Sequence, residues 1–110
     1  MVAAEAEGRI REFCRVRRDR MLAGLRGMPG LQPTVPDAGM FMLIEVSGNV
    51  LSASEFARRL YERERVSVMD GAAFGRRTSG FVRICFATEE ATIDAACDRI
   101  RRFCEQELPR

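Results

Sequence analysis

Residues 40–46 (Met-Phe-Met-Leu-Ile-Glu-Val) and 81–87 (Phe-Val-Arg-Ile-Cys-Phe-Ala) are dense apolar runs of strand length, and they constrain the fold more than any other feature of the chain. A run without alternation reads as a buried strand, and the first run is of that kind. The second alternates: Val82, Ile84 and Phe86 fall on one face, Phe81, Arg83 and Cys85 on the other. Residues 66–69 (Val-Ser-Val-Met) predict a short third strand.

The segments between and around these strands carry helical periodicity. Residues 3–26 place Ile10, Phe13, Cys14, Met21 and Leu25 on one stripe. Such a helix would be about 35 Å long, which suggests that it also serves something beyond a small domain. Gly27, Pro29, Gly30, Pro33 and Pro36 end it, because proline cannot continue a helix and biases the residue before it toward extended geometry. Ser52-Ala53-Ser54-Glu55 has the capping-box pattern and opens a helix to Glu64, with Phe56, Ala57, Leu60 and Tyr61 facing inward. Thr88 suits an N-cap with Glu89 and Glu90 in the first turn, and Ile93, Ala96, Cys97, Ile100, Phe103 and Cys104 form a stripe that runs to Leu108. Turns are expected at Ser47-Gly48-Asn49 and across residues 70–80, where Gly71 and Gly75 permit unusual backbone angles. The order helix, strand, helix, strand, strand, helix predicts an α+β fold. The expected form is a small two-layer sandwich, with helices packed on one side of about three strands. No repeat or linker divides the 110 residues, a length that suits one domain, roughly 100–200 residues being typical.

Composition removes several chemistries. The chain has no His, and all 18 of its basic residues are Arg, so it has no Lys. It therefore has no lysine to form a Schiff base with a carbonyl cofactor, no phosphate-loop lysine and no Ser-His-Asp machinery. Against 16 acidic residues the net charge is +2, a weak basis for nucleic-acid binding. The cluster Arg15, Arg17, Arg18 and Arg20, with Asp19 inside it, reads as a solvated helix face. No apolar run approaches the roughly 20 residues that span a bilayer, and the acidic N-terminus lacks a signal peptide's apolar core. A cytoplasmic location, with neither membrane nor nucleic-acid partner, is the expectation. Cys14, Cys85, Cys97 and Cys104 form no CxxC pair and have no His beside them, so reduced thiols are expected and no metal site. The six methionines read as core gap-fillers.

Arg83 does not fit a plain core. It sits mid-strand with apolar neighbours on both sides, and a buried guanidinium needs a partner. Its planar fork of donors suits a carboxylate held in bidentate fashion. An internal ion pair, or an edge strand that leaves Arg83 in water, would satisfy it equally well. The Gly71…Gly75 spacing does not match a GxGxxG phosphate loop, and Ser52 and Ser54 are better caps than nucleophiles.

Four pieces of the chain, in order, resemble the C-terminal small domain of fold-type I (class I/II) pyridoxal-phosphate-dependent aminotransferases. Arg17-Arg18-Asp19 with Leu22 and Leu25 is similar to the "RRD…L" of the helix entering that domain. Pro36-Asp37-Ala38-Gly39-Met40-Phe41 is similar to "P-x-G-G-M-F". Ser54-Glu55-Phe56-Ala57, Leu60 and Val66-Ser67-Val68 are similar to "S-x-x-F-A-x-x-L…G-V-x-V". Gly71-Ala72-Ala73-Phe74-Gly75 followed by Val82-Arg83-Ile84 is similar to "P-G-x-x-F-G…x-R-I/L". The sequence departs from the pattern at Asp70 in place of Pro, Ala38 in place of Gly, and Arg65 in place of Gly.

The resemblance implies that residues 1–110 are the small domain, with the entry helix at 3–26, and that the large cofactor-binding domain lies outside this chain. It implies that Arg83 binds the α-carboxylate of an amino-acid substrate and that Ala73, Phe74 and Gly75 lie in a loop at the active-site mouth. The lysine and every pyridoxal-phosphate contact would belong to the large domain. The parent would be a homodimeric transferase moving an amino group between an amino acid and a 2-oxo acid, and this chain alone would be inactive. A related lyase or decarboxylase, and a stand-alone carboxylate-binding or regulatory α+β module, are the competing readings.

Overall fold

The computed structural model describes residues 3–36, 39–47 and 51–108. The expected residues Asp37, Ala38, Gly48 and Asn49 lie outside the described residues. In chain order the elements are α1 (Ala3–Leu25), β1 (Leu31–Pro33), β2 (Phe41–Val46), α2 (Ala53–Glu64), β3 (Met69–Asp70), β4 (Phe81–Cys85) and α3 (Glu90–Glu107), with two short 3-10 turns between β3 and β4. The α+β architecture is as expected. The sheet has four strands rather than three, in the order β1-β2-β4-β3, and every pairing is antiparallel.

The added strand β1 comes from the proline-rich stretch read as a simple breaker. Leu31 pairs with Val46 and Pro33 with Ile44. Pro33 is tolerated because β1 is an edge strand, where a missing N–H breaks no ladder. β3 lies later than expected, at Met69–Asp70, and pairs with Arg83 and Val82. Val66 is buried, but residues 66–68 make no ladder.

One face of the sheet forms the floor of the core. Met42, Ile44, Val46, Val82 and Ile84 are buried there, together with Met21 and Leu25 of α1, Phe56 and Leu60 of α2, and Ile93, Cys97, Ile100 and Phe103 of α3. Phe56 and Phe103 meet edge to face, with centroids 5.4 Å apart and planes at 84°. Such a pair adds about 0.5–1.5 kcal/mol beyond its area. The helices therefore cover one side of the sheet, and the other side, carrying Phe41, Leu43, Phe81, Arg83 and Cys85, is open.

The helices differ from expectation in detail. In α1 only Met21 and Leu25 are buried, Cys14 is packed at the core's margin, and Ile10 and Phe13 are 62% and 41% exposed. Ile10 and Cys14 border a cavity that Pro36, Gly39, Met40 and Phe86 also line, so this end of the helix stands away from the packed core. Tyr61 is also exposed, because Ala53, Phe56 and Leu60 already define the inward stripe of α2 and Tyr61 is rotated off it. Ser52 caps α2 as expected, accepting the Glu55 N–H at 3.1 Å. Thr88 does not cap α3: Glu89 occupies that position without a side-chain bond, while the Thr88 carbonyl accepts from Arg17 Nε at 2.7 Å. No helix among the described residues is long and apolar enough to cross a membrane.

Candidate functional site

Arg83 stands in the middle of the open face. Across β2 its partner is Leu43, and across β3 it is Met69. Its guanidinium carbon lies 4.0 Å from the centroid of the Phe41 ring and 4.0 Å from that of Phe74. Phe41 reaches it from the strand on one flank of β4, and Phe74 from the turn that follows the strand on the other flank. One terminal nitrogen, Nη2, donates weakly to Met69 Sδ at 3.4 Å.

Among the described residues no carboxylate answers this charge. Arg83 takes part in none of the ion pairs among the described residues, although Arg15, Arg18, Arg20, Arg58, Arg59, Arg63 and Arg102 all do. Glu45, on the same sheet face, is in none of those ion pairs either. Among the described residues Arg83 Nε is the one buried side-chain nitrogen or oxygen without a hydrogen-bond partner. A buried donor left unpaired costs about 1–3 kcal/mol. A cation over an aromatic face recovers about 0.5–2 kcal/mol, but a ring face accepts no directed N–H bond of ordinary strength. The arrangement therefore holds a positive charge in place with hydrogen-bond donors that the described residues leave unmet, the kind of arrangement an anion can satisfy. Of the three ways to satisfy Arg83 considered from sequence, the internal ion pair and the fully solvated edge are both absent here. Arg83 lies on β4, which is flanked by strands on both sides.

The turn between β3 and β4 is built to deliver Phe74. Asp70 accepts the Ala72 N–H at 2.9 Å and so caps the first 3-10 turn, Gly71–Phe74. Thr78 Oγ1 donates to the Gly71 carbonyl at 2.5 Å and lies 3.2 Å from that of Gly75. Gly71 is buried, and a Cβ on it would meet the carbonyl oxygens of Thr78 and Phe81. Gly75 has φ +129°, in the region open to glycine. Of the three loop residues singled out from sequence, Phe74 is brought to Arg83, while Ala73 and Gly75 are exposed and shape the turn.

Two residues of the site escaped the sequence reading. Phe41 was read as part of an apolar strand and of the Pro36–Phe41 motif with no role at the site, and Met69 as a core methionine, yet Met69 is 47% exposed and pairs across the sheet with Arg83. Alternation on β2 carried a signal for Phe41, since it shares a face with Leu43, the partner of Arg83. The four cysteines are free. Cys85 is exposed on the open face, and Cys97 and Cys104 are buried. Among the described residues no His, Cys, Asp and Glu cluster could hold a metal ion.

Holding pyridoxal phosphate takes a lysine amine for its carbonyl and a cradle for its phosphate. This sequence has no lysine, and the one cation on the strands' open face is Arg83, enclosed between two rings. The described residues do not form a seat for that cofactor.

Comparison with known proteins gives the context of this face. The family model for aminotransferase class I and II matches residues 4–100. The chain is 40% identical over 99 residues to an arginine–pyruvate transaminase of Pseudomonas aeruginosa, covering 90% of this chain and 25% of that protein. It is 35% identical over 91 residues to an aspartate aminotransferase of Pyrococcus horikoshii, covering 83% of this chain and 23% of that protein. Among solved structures it superposes on an aromatic aminotransferase of Pyrococcus horikoshii with a TM-score of 0.85 at 26% identity, over 93% of this chain and 27% of the other. The chain thus spans about a quarter of the length of the relatives it matches. With the family model covering most of its length and relatives at this identity, the chain belongs to the aminotransferase class I and II family.

Proposed function

We propose that residues 1–110 are the C-terminal small domain of a pyridoxal-phosphate-dependent aminotransferase and that Arg83 binds the α-carboxylate of its amino-acid and 2-oxo-acid substrates. The observation that carries this is the unpaired guanidinium on the open sheet face, with a buried Nε lacking a partner. The relatives support it from another side. Their names point to donors with basic, acidic and aromatic side chains. What such donors share is the α-carboxylate, the group a fixed guanidinium recognises.

In this reading the cofactor, bound by a large domain outside this chain, supplies the electron sink that makes the α-carbon acidic. The chain's own part is positioning. Arg83 fixes the carboxylate by paired hydrogen bonds, which orients the bond to be broken and neutralises charge without itself moving a proton. The rings of Phe41 and Phe74 lie against the guanidinium, where their lower polarity strengthens its attraction for an anion. The parent is proposed to be a cytoplasmic homodimer.

The test is to join this chain behind a matching large domain and assay transamination. Arg83→Ala is expected to raise KM for both the amino acid and the 2-oxo acid by about 100-fold or more, as expected for losing one partner of a buried charged pair. Cofactor absorbance should stay intact. An unchanged KM for both substrates would remove Arg83 from this role.

A further inference from the structure

We infer that Phe41 and Phe74 act as specificity-determining positioning residues that make the Arg83 site select planar carboxylates over tetrahedral anions. The inference rests on the reading of Arg83 as an anion site and adds what shapes that site.

The argument is geometric. Two rings, each 4.0 Å from the guanidinium carbon and arriving from opposite flanks of β4, leave the guanidinium approachable only through the edge that carries its terminal nitrogens, with Nε buried beneath. A ligand in bidentate contact lies in the plane of the fork. A carboxylate puts both oxygens, its carbon and the attached carbon in that plane, so it fits a slot between ring edges. A sulfonate or phosphonate also offers two oxygens to the fork, but its third oxygen and its substituent project above and below the plane, toward the rings. Charge alone would not separate the two classes, since both are anions at neutral pH. The discrimination is steric and depends on both rings being held. Phe41 is fixed by the β2 ladder, its strand partner being Cys85. Phe74 is fixed by the turn that Asp70 and Thr78 pin. Both rings are about two-fifths exposed, so neither serves as a core residue whose loss would unfold the chain.

The experiment uses the 110-residue chain labelled at arginine nitrogen, with the Arg83 Nε–H resonance assigned by its loss in Arg83→Gln. It is titrated with propionate and, separately, with ethanesulfonate, while circular dichroism checks each variant's fold. Propionate is expected to shift the resonance at about one-tenth the concentration that ethanesulfonate needs. In Phe41→Leu and Phe74→Leu that ratio should fall toward one, and Phe74→Tyr, which keeps the ring, should restore it. Equal midpoints for the two anions in the unaltered chain, or a ratio that the leucine variants leave unchanged, would overturn the selectivity while leaving the carboxylate site standing. No response to either anion would overturn both.

Discussion

At Gly71 a side chain has nowhere to go. A Cβ there would lie 2.6 Å from the Phe81 carbonyl oxygen and against that of Thr78, both backbone atoms that cannot swing aside. Gly71→Ala is expected to cost about 1–3 kcal/mol in a denaturant titration, as overpacking does. Because the same turn carries Phe74, it should also disturb the Arg83 Nε–H resonance. The buried thiols give a second prediction. Burial pushes Cys97 from 9.0 up to about 11 and Cys104 from 9.0 up to about 12. The neutral thiol is the form the fold favours, so their contribution is complete below the unfolded value of 9.0 and is lost as pH rises toward 11 and 12. Denaturation midpoints should fall above about pH 9, and less steeply in a Cys97→Ala, Cys104→Ala variant. An identical fall in that variant would remove the thiols as the cause. At this scale Arg83 was legible, since a charge flanked by apolar residues in a strand stands out in any sequence. Phe74 was singled out only through the family resemblance, and Phe41 and Met69 not as site residues: cross-strand register and the path of the β3–β4 turn decide that all three meet Arg83, and these are long-range properties.

Among the elements, α2 is the one whose ends were most legible. Its Ser52 cap formed as expected, and Ser52→Ala should lower stability by about 1 kcal/mol. Its other end carries a cost. Arg65 has φ +59°, the only non-glycine with positive φ among the described residues. Arg65→Gly is expected to raise stability by about 1 kcal/mol, the usual penalty of a side chain in that conformation. A loss of stability would mean that the contact of Arg65 with the Tyr61 ring, at 5.5 Å, outweighs the strain. The pairing of α1 with α3 depends on a close approach that no periodicity predicts: a Cβ on Gly24 would come within 2.9 Å of Cys97 Cβ. The helix stripes were otherwise read correctly at most positions, among them Met21, Leu25, Phe56, Leu60, Ile93, Cys97, Ile100 and Phe103. They failed at Ile10, Phe13 and Tyr61, which are exposed. β1 was missed because a three-residue edge strand ending in Pro33 has too little pattern to register.

For the whole molecule, the absence of lysine and histidine fits the proposal that this chain positions substrate and that the cofactor belongs to another domain. The fold class could be read from the order of apolar runs and stripes, because three helices on an antiparallel sheet bury those runs in one core. The open face could not be read from that order, since nothing local says which side of β4 stays uncovered. The central claim is that this uncovered side presents Arg83 to a substrate carboxylate. The most direct measurement compares, in an enzyme bearing this chain, kcat/KM for an amino acid with kcat/KM for the corresponding amine that lacks the carboxylate. The unaltered enzyme should prefer the amino acid strongly, and Arg83→Gln should erase about 100-fold or more of that preference while leaving the amine's own rate nearly unchanged. If Arg83→Gln lowers both rates equally and the preference survives, the carboxylate is held elsewhere and the account is wrong.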